Sequence, residues 1–403
     1  MELLGAASGF LLGLLSGFIP GIHSNTIASI IMQLDIDNMT AAAAIAAMSC
    51  SHAVFGFIPA IFLFIPDSET VVSVLPGHRL LMKGRGSYAL GICAFSGMVA
   101  IACSLLLMPV AYILMPVFYS AIRPYLLPIL LFASVFLLGS EREAKRIVVA
   151  TCVFVLSGVL GLFALQTPIL RDPLLPVFCG MFAVSGIVLS LGKDAVVPKQ
   201  LRERIEIPKG YTPYVIIGVM LGALSDLLPG ISTPAQIAVF ASLFLYLNAP
   251  KFLALVSSIA ISHSLFSLVA ISSIGKARTG AAVAISELIG TPGIEQTVWL
   301  VGIGVVSAAA SVIVLLLVSR KLAGFVSRVS LRDMGAAVII YLVLLVFLLD
   351  GAFGLLFMAT GAAVGVIPPM LGVRRTHLMG AILVPSLVSL AGWSGLFLSL
   401  VLP

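Results

Sequence analysis

The chain has 403 residues, of which 61% are hydrophobic and 9% charged, with a formal net charge of +6 and a mean hydropathy of +1.21. Soluble domains carry about 25% charged residues, so this composition excludes an ordinary soluble fold and points to a polytopic membrane protein. The basic residues lie in short loops between apolar runs, which excludes a folded nucleic-acid-binding domain.

A membrane crossing takes about 20 apolar residues. Helices are expected at 3–19, 88–118, 124–139, 147–165 and 174–192, then at 213–228, 297–319, 334–350, 352–372 and 377–401. The start, Met1-Glu2, lacks the basic stretch and small-residue cleavage site of a secretory signal, so the first apolar run is expected in the mature protein. The stretches 20–75 and 229–286 are apolar but punctuated, by Pro20-Gly21, Asp35, Asp37, Pro59, Pro66 and Pro76 in one and by Pro229-Gly230, Pro234, Pro250 and Gly275 in the other. Proline removes a donor and glycine takes up conformations a helix cannot use, so both stretches are expected to be broken helices or re-entrant hairpins. Such backbone survives in a bilayer only where protein buries it or a cavity solvates it, which makes these stretches the candidate substrate site. The fold class expected is all-α, with about 10–14 membrane segments in total.

The chain also says one thing twice. Gly9, Gly13, Ser16, Pro20, Gly21 and Ile22 return as Gly218, Gly222, Ser225, Pro229, Gly230 and Ile231, 209 positions later. Ser51-His52 and Ser262-His263 follow in the same order, 31 and 33 residues after the respective prolines. The expected organisation is a first transmembrane repeat at 1–192, a polar cytoplasmic linker at 193–211 and a second repeat at 212–403.

Charge gives the relative orientation. Of the 22 Lys and Arg, 17 gather around 79–85, 142–146, 193–209, 320–332 and 374–375, the mark of cytoplasmic loops. Shifted by about 209 residues, basic 78–86 falls on 287–295 with its Glu287 and Glu295, and basic 141–146 falls on Asp350-Gly351. Each basic loop meets a non-basic one, so the repeats are expected to lie inverted in the membrane.

Candidate site residues cluster at the two breaks. Pro20 and Pro229 mark the hinges, and Gly21 and Gly230 beside them have a binding claim; the glycines along the preceding helices read as close-packing residues. After the first break come His23, Ser24, Asn25 and Thr26, and after the second Ser232 and Thr233. These are binding candidates and equally N-caps of the next helix, two roles that are compatible because a helix N-terminus offers free N–H donors to an anion. The repeated pairs Ser51-His52 and Ser262-His263 are candidates for binding or proton handling. Asp226 takes the place of Gly17 within an apolar helix and is the candidate ion-coupling residue, for a proton or sodium; the alternative is a wetted helix end. Lys276 and Arg278 either hold an anion or end a hairpin at the interface. No cofactor is implied, and the five cysteines lie in apolar stretches without CxxC spacing, so they read as small core residues. An intramembrane enzyme using His23, His52 and His263 as metal ligands or bases is the reading from another class; no HExxH motif accompanies them.

Gly13 to Ile22, then Phe57 to Pro66, then Gly77-His78 and Met82 to Gly91 resemble the large membrane subunit of the tripartite tricarboxylate transporters, the TctA-like proteins. That family shows a Pro-Gly break, a Pro-containing apolar run and a Lys-Gly loop leading to Ala-Leu-Gly in this order. The likeness is best over 9–97. This chain carries His23-Ser24-Asn25 after its break, and Pro66-Asp67-Ser68-Glu69 where the family has a glycine-containing turn. The resemblance implies a multi-pass protein of the cell membrane that takes up carboxylate anions, among bilayer lipids, with a small membrane subunit and an extracytoplasmic binding protein as partners. The Pro-Gly then small-polar arrangement is also similar to polyprenyl-phosphate translocases, which implies the alternative of a flippase carrying a lipid anion.

Overall fold

In the computed structural model the described residues are all except 20–22, 64–69, 191–196, 202–208, 229–232, 246, 329 and 394–403. The expected hinges and site residues Pro20, Gly21, Pro229, Gly230 and Ser232 therefore lie outside the described residues. The first half forms α1 (Glu2–Phe18), α2 (Ser24–Ile31), α3 (Asn38–Phe55), α4 (Phe57–Phe62), α5 (Val74–Leu81), α6 (Gly86–Ile122), α7 (Leu126–Gly139), α8 (Ala144–Gln166), α9 (Leu174–Phe178) and α10 (Ser185–Ser190). The second forms α11 (Thr212–Ser225), α12 (Pro234–Phe244), α13 (Ala249–Ser273), α14 (Gly280–Ile289), α15 (Ile294–Val326), α16 (Leu331–Leu371) and α17 (Gly380–Leu390). No β-strand occurs among the described residues, so the protein is an all-α polytopic membrane protein. Six helical stretches among them are long and apolar enough to cross a bilayer: 38–62, 86–139, 144–166, 249–273, 294–326 and 332–371.

The punctuated stretches are interrupted, but not at every proline. Both were expected to be broken helices or re-entrant hairpins, and both do fall into separate helices, α2 to α4 in one and α12 to α14 in the other. Yet each contains a 25-residue apolar helical stretch, 38–62 (α3 with α4) and 249–273 (α13), whose most apolar 18 residues are 94% buried. The prolines do not break these helices because of where they fall. Pro59, Pro76, Pro234 and Pro250 all occupy first turns of α4, α5, α12 and α13, where the missing N–H has no intrahelical partner to lose. Gly351 does break its helix as expected: with φ 63° it leaves the helical region and divides α16 at the boundary between 334–350 and 352–372.

Small residues set the packing. α1 lies along α3 with Gly5 against Thr40, Gly9 against Ala44, Gly13 against Met48 and Ser51, and Gly17 against Phe55. α11 repeats this on α13, with Gly218 against Leu255 and Ser258, and Gly222 against Ile259 and Ser262. Both pairs run parallel, since the contacts advance together along the two helices. A Cβ on Gly9 would fall 2.0 Å from the Ala44 carbonyl oxygen, whereas one on Gly302 meets nothing within 4 Å. Gly9→Ala should therefore destabilise by about 1–3 kcal/mol through overpacking, and Gly302→Ala should be neutral or slightly stabilising. Thermal melts of the two purified variants in detergent check the contrast.

The contacts also fix how the halves relate. α6 runs parallel to α13, because Cys93 meets Ser257, Gly97 meets Ile261, the Tyr112 hydroxyl lies 3.4 Å from that of Ser272, and Ser273 Oγ contacts Met115 Sδ. α3 runs parallel to α15: Met39 shares a cavity with Glu295 and Trp299, and further along Cys50 lies against Gly304. α13 and α15 are antiparallel, since Ser272 Oγ donates to the Pro292 carbonyl at 2.9 Å while the earlier Leu265 and Leu268 meet the later Gly304. It follows that α3 and α13 run in opposite directions, and with them α1 and α11, and α6 and α15. The matched elements of the two halves are antiparallel.

The halves exchange contacts reciprocally. α6 of the first packs on α13 of the second, and α15 of the second packs on α3 of the first. Near the helix ends Glu141 Oε1 accepts the Arg374 N–H at 3.0 Å, and its counterpart Asp350, 209 positions on, accepts the N–H groups of Arg171 and Asp172 at 2.7 and 3.2 Å. Burial opposes ionisation of Glu141, but the Arg374 amide, His377 and the Arg374 charge outweigh it and hold its carboxyl below the ordinary carboxylate value. A depressed folded-state pKa stabilises above the unfolded value and loses that contribution as pH falls through the folded one. Glu141→Gln should thus flatten the acid side of the melting-temperature profile relative to wild type, as pH-dependent thermal melts would record.

Of the cysteines, Cys50, Cys93 and Cys179 are buried as expected and Cys103 is half-buried, but Cys152 is exposed on α8.

Candidate functional site

Two small polar clusters lie where the helix pairs end. In the first half, α2 has His23 as its N-cap; the His23 Nδ1 accepts the Asn25 N–H at 3.2 Å. The His23 ring lies 6.1 Å, centroid to centroid, from that of His52, and His52 Nδ1 is 2.9 Å from Ser16 Oγ. Ser16 is buried beside the end of α1, so the first cluster joins α1, α2 and α3.

In the second half the equivalent of Ser16 is Ser225, and the next residue is Asp226 rather than glycine. Asp226 is the C-cap of α11 and fully buried, with Oδ1 3.5 Å from the buried His263 Nε2. The wetted-helix-end alternative does not fit this burial. No acid could replace Gly17 at the matching place, because a Cβ there would lie 2.6 Å from the Phe55 Cβ. Arg278 Nε donates to the Asp226 carbonyl at 3.4 Å, its Nη2 reaches the Tyr119 hydroxyl at 3.4 Å, and the guanidinium stands 6.0 Å from the Tyr119 ring centre. The second cluster therefore joins α11, α13, the α13–α14 loop and α6.

The start of α14 connects the clusters. Thr279 caps it, its Oγ1 accepting the Ala282 N–H at 3.1 Å and lying 3.5 Å from Ser267 Oγ. Gly280 follows, and Asn25 occupies the space beside it so closely that a Cβ on Gly280 would fall 2.0 Å from Asn25 Oδ1. Asn25, in the first turn of α2, thus rests on the helix N-terminus that follows Arg278. The two N–H groups ahead of Ala282 in that first turn, those of Gly280 and Ala281, the positive end of the helix dipole and the guanidinium form a donor set suited to a carboxylate.

The remaining candidates are placed differently. Ser51 and Ser262 are fully buried under Gly13 and Gly222, and Ser262 Oγ donates to the Ser258 carbonyl at 2.5 Å. Ser51 and Ser262 thus serve the helix contact, and of each repeated pair only the histidine reaches a polar cluster. Ser24 is buried with its hydroxyl 3.5 Å from His23 Nδ1, Thr26 is half-buried and donates its N–H to the His23 carbonyl, and Thr233 accepts the Ile237 N–H at the entrance of α12. Lys276 is exposed, and no hydrogen bond or ion pair among the described residues involves it. No group of three His, Cys, Asp or Glu side chains that could hold a metal gathers among the described residues; His23 and His52 sit together, whereas His263 pairs with Asp226. Reading the sequence missed Tyr119, Ser267 and Thr279 as site residues, and it used Ser16 only as part of the repeat. For Ser16 the signal was present, since it recurs as Ser225; for Tyr119 no pattern in the sequence marks it.

The tripartite tricarboxylate transporter TctA family model matches residues 3–380. The chain belongs to this family. The match spans nearly the whole chain, whereas the likeness read from motifs was strongest over 9–97. Membership in TctA makes the protein a component of a tricarboxylate-type transport system, and it lends nothing to the polyprenyl-phosphate flippase alternative. An uncharacterised protein of Methanocaldococcus jannaschii is 27% identical over 303 residues, 74% of this chain and 74% of the relative. No solved structure matches.

Proposed function

We propose that this TctA-family chain is the large membrane subunit of a secondary transporter that carries a di- or tricarboxylate across the cytoplasmic membrane by alternating access. The observation that carries the reading is the meeting of Asn25 with the α14 N-terminus beside Arg278, over the buried Asp226–His263 pair. Residues 1–192 and 212–403 are the two inverted repeats and 193–211 the cytoplasmic linker. The antiparallel run of α3 and α13 supports this, as does the gathering of Ser87, Gln200, Arg320 and Arg328 around one cavity at one end, with Glu2 and Glu295 at the other.

The chemistry follows from charge. Arg278 and the first-turn amides of α14 attract a carboxylate, while the side-chain carboxylate of Asp226, the residue whose backbone carbonyl accepts from Arg278, repels it. A proton or sodium ion taken up at the Asp226 carboxylate removes the repulsion, so anion and cation are bound together. Neither binds well alone, which is the condition for coupled transport. The hairpins then carry the pair past the central helices in an elevator-like step. An extracytoplasmic binding protein delivers the anion and a small membrane subunit completes the complex.

A panel of di- and tricarboxylates tested by thermal melt on the purified protein examines this. A ligand at about 100 times its dissociation constant adds about 2.7 kcal/mol of stability. A polycarboxylate should raise the melting temperature, more so with the coupling cation present. Stabilisation by no carboxylate under any cation condition would contradict the reading.

A further inference from the structure

α15 is longer than one crossing needs. It has 33 residues from Ile294, and about 20 span the hydrocarbon, so residues beyond about 316 stand at headgroup depth. At that end Arg320, Lys321 and Arg328 are exposed and border a cavity of about 570 Å³, whose other wall is Ser87 and Gln200. The wall is fixed: Gln200 Oε1 accepts the Gly86 N–H at 2.8 Å, its Nε2 donates to Leu81 and Pro198 carbonyls, and the Leu201 N–H is held by the Gly84 carbonyl. No ion pair among the described residues involves the three cations.

The same helix face continues into the bilayer as an apolar track. Val306, Ile313 and Leu317, exposed by 68%, 54% and 70%, follow one another at intervals of seven and four residues, and Arg320 and Lys321 lie three and four residues beyond Leu317, which places these five on one broad face of α15. Arg328 stands in the turn just past the helix end, its N–H held by the Phe325 carbonyl at 3.0 Å. Phe325 and Leu201, both exposed, stand at the rim of the cavity. Three cations without an ion pair among the described residues, at headgroup depth above a lipid-facing apolar track, suit an amphiphile with an anionic phosphate head; a soluble anion would leave the track and the rim unused.

We propose that this cavity is a binding site for an anionic phospholipid, its phosphate among Arg320, Lys321 and Arg328 and its acyl chains along Leu317, Ile313 and Val306. The site joins the start of α6, the linker and the end of α15, so an occupied cavity ties both repeats to the linker. The inference is independent of which anion the protein carries.

The test uses the full-length protein in a neutral detergent, with phosphatidylglycerol, phosphatidylcholine and inorganic phosphate as probes in thermal melts. Phosphatidylglycerol should raise the melting temperature and the other two should not. Each cation near an anionic headgroup contributes about a five-fold gain, so R320Q/K321Q/R328Q should need about 100-fold more phosphatidylglycerol for the same shift. R328Q alone should need about five-fold more and serves if the triple variant does not fold. R142Q/K145Q/R146Q, which alters another basic loop of the same side, should respond as wild type. Equal stabilisation by inorganic phosphate would make this a soluble-anion site, and an equal loss in the 142–146 variant would make the effect general surface attraction; either overturns the proposal, as does a wild type that ignores phosphatidylglycerol.

Discussion

Asp226→Asn should abolish gradient-driven accumulation of substrate while leaving a folded protein that still exchanges bound anion for free anion. The amide keeps the size of the side chain and its place 3.5 Å from His263 Nε2, but it cannot take up a proton or hold a cation as a carboxylate does. Repulsion of the substrate disappears permanently, so binding persists and its dependence on the cation is lost. His263→Gln should give the same phenotype in weaker form, and the double variant should be no worse than Asp226→Asn, because residues acting as one unit are not additive. Uptake and counterflow assays in proteoliposomes, with melts to verify folding, separate the two activities. Accumulation at the wild-type level by Asp226→Asn would reduce the pair to a buried structural contact.

Arg278→Ala should have the largest effect on binding itself. A hydrogen bond to a charged group contributes about 1.5–3 kcal/mol, so affinity for the carried carboxylate should fall about 10- to 100-fold. Asn25→Ala, from the other half, removes neutral contacts worth about 0.5–1.5 kcal/mol and should cost about three- to ten-fold for the same ligand. Lys276→Ala, two residues from Arg278 but exposed and with no hydrogen bond or ion pair among the described residues, should leave affinity unchanged. Titrations of one confirmed ligand against the three variants check the order. If only second-half variants lose affinity, the hairpin of α2 is scaffold.

The sequence made the membrane class, the duplication and the opposed charge of the halves legible, because each is a property of many residues. The recurring Gly13 and Gly222 read as packing residues, and the helices they touch show why. What stayed hidden was the continuity of α3 and α13. Pro59, in the first turn of α4 just after α3, and Pro250, in the first turn of α13, look like breaks in a linear string, and only those places make them harmless. The candidate site was half legible. Asp226, His263 and Arg278 stand out as ionisable groups in apolar sequence, and the structure gathers them; nothing local predicts that Asn25 meets Gly280, 255 positions away, or that Tyr119 from α6 faces Arg278. Ser51 and Ser262 were marked by the same repetition as their histidines, although repetition reports helix packing as readily as function.

Alternating access by paired halves requires that they face opposite sides of the membrane, and sidedness is open to direct measurement. In a background with the five native cysteines replaced, Lys83→Cys and Thr291→Cys place single thiols at exposed, matching loops of the first and second halves, 208 positions apart. A membrane-impermeant maleimide added to intact cells should label Thr291→Cys and spare Lys83→Cys until the membrane is opened. Labelling of both from the same side would contradict the inverted arrangement and, with it, alternating access by paired hairpins.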